Sequence, residues 1–371
     1  FMAKFWSAEV EEFLKGTPGG IQNVEEEARQ PQHKRRRVAQ DDTAADAPQA
    51  AAPVVIVGCD DFGKELKDAV VQHLKGKSVT VEDLGCDKFY QAAASVAKGV
   101  QGGQGNSAGM LFCGTGMGVS IVANKFDGVY AALAENEAAA RNSRAINDAN
   151  VLCLGGKVTS EADAARIADA FLEQKFVAKP DTFMAKFWSA EVEEFLKGTP
   201  GGIQNVEEEA RQPQHKRRRV AQDDTAADAP QAAAPVVIVG CDDFGKELKD
   251  AVVQHLKGKS VTVEDLGCDK FYQAAASVAK GVQGGQGNSA GMLFCGTGMG
   301  VSIVANKFDG VYAALAENEA AARNSRAIND ANVLCLGGKV TSEADAARIA
   351  DAFLEQKFVA KPDTFMAKFW S

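Results

Sequence analysis

The segment FMAKFWSAEV begins at Phe1 and returns at Phe183, and FMAKFWS returns once more at Phe365, a spacing of 182 residues each time. The copies differ at no position, so whatever fold the first unit adopts is open to the second as well. A period this long is not that of a solenoid, and each unit is expected to be a domain with its connector. The chain has no initiator Met and both ends fall inside the repeat phase. The expectation is a longer precursor with more units, with a product of cloning as the alternative.

Each unit divides in two. Residues 1–16 read as an amphipathic docking segment. Its helix spans Ser7 to Lys15, with Ser7 as cap, Glu9, Glu11 and Glu12 in the first turn and Gly16 as stop. Val10, Phe13 and Leu14 share one face, and so short a helix must dock to be stable. Residues 17–52 lack apolar periodicity and have the composition of a flexible linker. The core runs from 53 to 181. The second unit repeats this plan as 183–198, 199–234 and 235–363, and 365–371 starts a third repeat.

Within the core, apolar runs alternate with helical spacing. PVVIVG, VTVEDLG, GMLFC, VYAAL and VLCLGG read as strands. Helices are expected around Leu66 to Leu74, Phe89 to Val100, Gly118 to Lys125, Glu135 to Ile146 and Ser160 to Gln174. Strict alternation with near-continuous apolar strands predicts an α/β fold, a doubly wound five-stranded parallel sheet of order 2-1-3-4-5, in two tandem identical domains. No apolar run is long enough to span a bilayer and no signal peptide is visible. The net charge of −9 gives no push toward nucleic acid or anionic membrane. The eight Cys form no CxxC pair. They read as reduced thiols of a cytoplasmic, reducing compartment, neither a disulfide frame nor a metal site.

Ligands of such sheets sit beyond the C-terminal strand ends. Three loops lie there: Gly58-Cys59-Asp60-Asp61-Phe62-Gly63, Cys113-Gly114-Thr115-Gly116-Met117-Gly118-Val119-Ser120, and Gly155-Gly156-Lys157. The three alternate glycines of the second loop let the backbone turn and present N–H groups at a helix start, an anion cradle. The same positive end is expected to lower the pKa of Cys113. A thiolate beside oxyanion donors suits proton abstraction next to a carbonyl. Taken alone, the same turn also reads as a tight connection beside an inert, buried cysteine.

The strings GCDDFGKELKDAVVQHL, CGTGMGVSIVANKFDGVYAAL and SRAINDANVLCLGGKV resemble the ribose-5-phosphate isomerase B and galactose-6-phosphate isomerase family over the whole core, from Val54 to about Phe176. The likeness is closest to a plant branch that begins with a similar ADDFG motif. It implies an aldose–ketose isomerase that works through an enediol without a cofactor, on a phosphorylated sugar or similar small anion, with active sites shared in a dimer. It implies that Cys113 and Cys295 are the bases, with Thr115 and Thr297 beside them. Gly114, Gly116, Gly118 and Ser120 would hold the substrate with Asp60, Asp61, Asn147 and Lys157. So would Gly296, Gly298, Gly300, Ser302, Asp242, Asp243, Asn329 and Lys339 in the second unit.

The departures are specific. Asp61 stands where the family usually has His, and Ile146 stands where its ring-opening His precedes the Asn. Only Lys175 and Lys179 lie near the place of its two phosphate-binding Arg. His73 reads as a helix residue packed on the sheet. Arg141 and Arg144 are read equally as phosphate ligands and as surface residues. The alternative function is a non-catalytic repurposed domain whose array pairs into a filament. His33-Lys34-Arg35-Arg36-Arg37 lies between acidic runs and reads as solvated linker, with nuclear import, a nucleic-acid patch or processing between units as alternatives.

Overall fold

The computed structural model describes residues 53–77, 79–103, 107–176, 236–259, 261–285 and 289–358. The docking segments, the linkers, the start of the third repeat, the basic run and Lys179 lie outside them. The first domain runs β1 Val54–Cys59, α1 Lys64–Lys75, β2 Thr80–Cys86, α2 Phe89–Gly102, β3 Ser107–Cys113, α3 Met117–Ala123, β4 Ala131–Leu133, α4 Glu137–Asn147, β5 Val151–Gly155 and α5 Glu161–Glu173. The second repeats it as β6 Val236–Cys241, α6 Lys246–Lys257, β7 Thr262–Cys268, α7 Phe271–Gly284, β8 Ser289–Cys295, α8 Met299–Ala305, β9 Ala313–Leu315, α9 Glu319–Asn329, β10 Val333–Gly337 and α10 Glu343–Glu355. Local chemistry sets the boundaries. Asn136 caps α4 by accepting from the Ala139 N–H, and Ser160 caps α5 by accepting from that of Asp163. Asp148 ends α4 in the left-handed conformation, φ 49°.

Every strand pair is parallel, as the alternation predicts, but the order is β2-β1-β3-β5-β4. The last two strands are therefore exchanged relative to the expectation. β5 is five residues long, fully buried, and pairs with β3 from Gly109↔Val151 to Cys113↔Gly155. β4 has only three residues and takes the edge. It is nonetheless wholly buried, because the second domain covers that edge: α8 packs on β4, and α3 packs on β9. The opposite edge strand, β2, is largely exposed and departs from the buried-strand pattern.

Helices α1, α4 and α5 cover one face of the first sheet, and α2 and α3 the other. The apolar cluster under α1 and α5 runs on into the α7–α8 face of the second domain, and the converse cluster mirrors it. Each cluster thus spans both domains, and together they form the junction. Lys125 fastens it: its Nζ donates to the carbonyls of Phe308 (2.7 Å) and Val311 (2.6 Å) and lies 5.4 Å from the Tyr312 ring. Lys307 reciprocates on Phe126 (2.7 Å), Val129 (2.6 Å) and the Tyr130 ring. The two cores of this one chain thus pack against each other.

The reading of all eight cysteines as reduced thiols is corrected for four. Cys59 is bonded to Cys86 and Cys241 to Cys268, each pair with Cα atoms 4.7 Å apart. β1 and β2 are neighbours, and an irregularity in their register sets Cys59 opposite Cys86. A sequence separation of 27 residues gives no hint of this. The inference from thiols to a reducing compartment loses its basis. Titration of denatured, unreduced chain with a thiol reagent is expected to find four thiols, and eight after reduction. Eight without reduction would contradict the pairing.

Gly63 starts α1 against the end of β3. A Cβ there would lie 2.5 Å from the Phe112 carbonyl oxygen and 2.7 Å from Phe112 Cβ. Gly63→Ala is expected to cost about 1–3 kcal/mol by overpacking, measured by urea unfolding. An unchanged midpoint would show that the backbone shifts freely.

Candidate active site

The exchanged strands matter to the site, because β1, β3 and β5 become neighbours and the three loops predicted to carry chemistry meet at one edge. Asp60 N donates to the Phe112 carbonyl (3.0 Å), Gly156 N to that of Cys113 (2.8 Å), and Lys157 N to that of Gly114 (2.9 Å). Gly116 turns the chain into α3 with φ 75°, a conformation open to glycine. Cys113 and Cys295 close β3 and β8, each 5% exposed.

The thiols contradict the expectation of a lowered pKa. Burial pushes Cys113 up to about 12, and the Asp60 charge adds to it. N–H groups of Val119, Thr115 and Gly116 act in the opposite direction without prevailing. Cys295 is pushed to about 11 by the same causes, and its sulfur accepts from the Gly298 N–H at 3.2 Å. The helix start is present, but taking a thiolate out of water outweighs it. Asp60 is raised to about 6, first by burial and partly by exposed Asp61, against the N–H bonds of Gly63 and Phe62. Both those bonds, 2.9 Å each, go to Oδ1. Asp242 behaves alike, and its Oδ2 is buried with no hydrogen-bond partner. Asp243 is exposed like Asp61.

The remaining predicted residues divide. Thr115 and Thr297 are half-buried in the turn, their hydroxyls 3.4 Å from the N–H of Met117 and Met299. Gly114 and Gly296 belong to the same loops, and Gly118 lies in the first turn of α3. The hydroxyls of Ser120 and Ser302 instead turn back to the carbonyls of Met117 and Met299 at 2.8 Å. Lys157 is exposed above the loop, and Lys339 Nζ lies 5.9 Å from the Phe244 ring. Arg144 donates to the Ala149 carbonyl (2.5 Å) and lies over Phe171, while Arg141 pairs with exposed Glu173. These contacts hold both arginines to their own domain's α4–α5 surface. His73 is half-buried, and its Nε2 pairs with Asp169 at 3.0 Å, linking α1 to α5. Lys175 is exposed.

Asn147 ends α4, 3% exposed, with Oδ1 unpartnered. It was expected beside Cys113, yet it approaches the first turn of α8 in the other domain: a Cβ on Gly300 would meet Asn147 Nδ2 at 3.1 Å. By the repeat, α9, which carries Asn329, packs on α3. The resemblance implied sites shared between two cores but not that Asn147 is the residue that crosses, and sequence reasoning missed Lys125, Lys307, Glu135 and Glu317. Burial and nearby Glu317 raise Glu135, another contact across the junction. The only signal was the apolar edge formed by VYAAL, and that has no address.

A family model described as Ribose/Galactose Isomerase matches residues 55–183 and again 237–364. The chain belongs to this family. The Ribose/Galactose Isomerase match thus covers both cores, as the CGTGMGVSIVANK string implied. The DNA damage-repair/toleration protein of Arabidopsis thaliana is 39% identical over 143 residues, which cover 38% of this chain and 46% of that protein. The chain therefore spans about half the length of that relative. The 4-deoxy-4-sulfo-D-erythrose isomerase of a Clostridium species is 38% identical over 160 residues, 42% of this chain and 95% of that protein. Ribose-5-phosphate isomerase B of Escherichia coli is 39% identical over 127 residues, 33% of this chain and 85% of that protein. Among the described residues, no helix is long and apolar enough to cross a membrane.

Proposed function

We propose that this chain is an aldose–ketose isomerase acting through an enediol at two sites, each completed by residues of both domains. The observation that carries the reading is the Asn147–Gly300 approach. It brings the Asn147 side chain, whose Oδ1 is buried without a partner, to the first turn of α8, beside the thiol of the other domain. In each site the cysteine exchanges the carbon-bound proton, and the turn's N–H groups hold the oxygen that becomes negative. Unpartnered Asn147 Oδ1 and Asp242 Oδ2 accept substrate hydroxyls, which repay their burial.

Ile146 beside Asn147 cannot carry a proton. That favours substrates already open-chain, such as four-carbon sugars with the anion on C4, which lack the free hydroxyl needed to close a furanose ring. The named substrate of the Clostridium relative has this form. Turnover of tetrose 4-phosphates, pentose 5-phosphates and hexose 6-phosphates tests the reading. Isomerisation of at least one is expected, and Cys113→Ala with Cys295→Ala is expected to lose on the order of 10²–10⁴ in rate. No turnover, or full turnover by the double variant, would refute it.

A further inference from the structure

We propose that Asp60 and Asp242 are catalytic proton acceptors for the Cys113 and Cys295 thiols, so that each site works as a carboxylate–thiol pair. The inference rests on the isomerase reading and adds a role beyond holding the substrate.

Strand register supplies the geometry. β1 and β3 are adjacent and parallel, with Cys59 paired to Phe112, so Asp60 and Cys113 follow as the next residues of neighbouring strands. The bond from Asp60 N to the Phe112 carbonyl carries the register past the strand end. The two groups feel each other, since the Asp60 charge helps keep the Cys113 thiol protonated. The carboxylate is also oriented. Oδ1 of Asp242 is fixed by the Phe244 and Gly245 N–H groups, as that of Asp60 is by Phe62 and Gly63, while Oδ2 of Asp242, a residue 5% exposed, is buried without a partner. One anchored and one free oxygen make a proton acceptor of fixed direction.

The sulfur is prepared for the opposite change. The N–H groups of Val119, Thr115 and Gly116 favour its anion, and Gly298 N donates to the sulfur of Cys295. Yet the buried thiols, at about 12 and about 11, hold their protons at neutral pH. They need a nearby acceptor, and the carboxylates, raised to about 6, are ionised there.

The protons balance without any outside reagent. The carboxylate takes the thiol proton. The thiolate takes the proton from C2 of the aldose, the C2–H electron pair becomes the C1–C2 double bond, and the carbonyl π pair moves to O1. The carboxylic acid protonates O1, which gives the enediol. The carboxylate then takes the O2 proton as C2=O forms, and the thiol protonates C1. Return of the proton from carboxylic acid to thiolate resets the pair.

The test uses the full chain and two readouts. Thiolate absorbance near the ultraviolet sulfur band is titrated against a Cys113→Ser, Cys295→Ser reference, in wild type and in Asp60→Asn, Asp242→Asn. Removing the carboxylate charge is expected to lower the thiol midpoint. With any substrate the wild type turns over, kcat/KM is expected to fall about tenfold per pH unit below about 6, and the Asn variant to lose about 10²–10⁴ in rate together with that acid limb. Asn keeps the acceptor oxygen for the Phe62 and Gly63 N–H groups, and circular dichroism reports its folding. An unmoved thiol midpoint, a thiolate already present in wild type at pH 7, or an Asn variant with wild-type rate and pH profile would overturn the pair. If wild type isomerises nothing, the isomerase reading falls, and the thiol titration still decides whether the two groups are coupled.

Discussion

Raising the pH from 7 to 10 is expected to stabilise the wild-type chain relative to a Lys307→Met variant. Burial pushes Lys307 down to about 7 from its ordinary 10.5, with Asp127 opposing and Lys125 adding to the shift. The sign follows from linkage. Between about 7 and 10.5 the unfolded chain holds this proton and the folded chain does not, so stability rises with pH through that window. Below it both states are protonated, and the contribution is flat. The slope approaches about 1.4 kcal/mol per pH unit, and several kcal/mol accumulate across the window. Met keeps the stem's bulk but offers no N–H, so the Phe126 and Val129 carbonyls lose their donor at a cost of about 1–3 kcal/mol each. Near pH 7 relief from burying a charge offsets this loss; at pH 10 the loss stands alone. Urea unfolding of both proteins at pH 7, 8.5 and 10 checks it. Parallel slopes would mean that Lys307 is not buried as described.

What the sequence made legible follows from what periodicity can encode. Apolar runs such as VVIVG and VLCLG, separated by helical spacing and by caps such as Ser160, identify every described element to within a few residues. They also put Asp60, Cys113 and Lys157 on one edge, because a parallel sheet places all its strand C-termini there. Strand order is not periodic information. Nothing in VYAAL says that Ala131–Leu133 will be an edge strand buried by another domain, so β4 and β5 were exchanged. The Cys59–Cys86 pair was hidden for the same reason, since adjacency of β1 and β2 does not specify which residues meet. The Cys113 pKa was misjudged because the loop's positive end is local and readable, whereas the desolvation that outweighs it comes from the whole fold. Asn147 was placed with the loop of its own domain, whereas it approaches Gly300 of the other. An identical repeat cannot tell one's own loop from its neighbour's.

The crossing of Asn147 to the loop of the other domain is the central claim, and the repeat offers a direct test of it. Asn147 belongs with Cys295, and by symmetry Asn329 belongs with Cys113. Two defects placed in one chain therefore fall either in the same site or in different sites. Asn147→Ala with Cys295→Ala spoils one site twice and leaves the other whole. Roughly half of wild-type activity is expected, because independent sites contribute separately. Asn147→Ala with Cys113→Ala spoils both sites, and activity is expected to fall by an order of magnitude or more, the scale of losing one polar contact to the developing charge. The measurement is kcat for these two double variants, with the Cys113→Ala and Cys295→Ala single variants alongside. Near-half activity is expected for the first pair and near-loss for the second; the reverse pattern would place each Asn in its own domain's site and contradict the crossing.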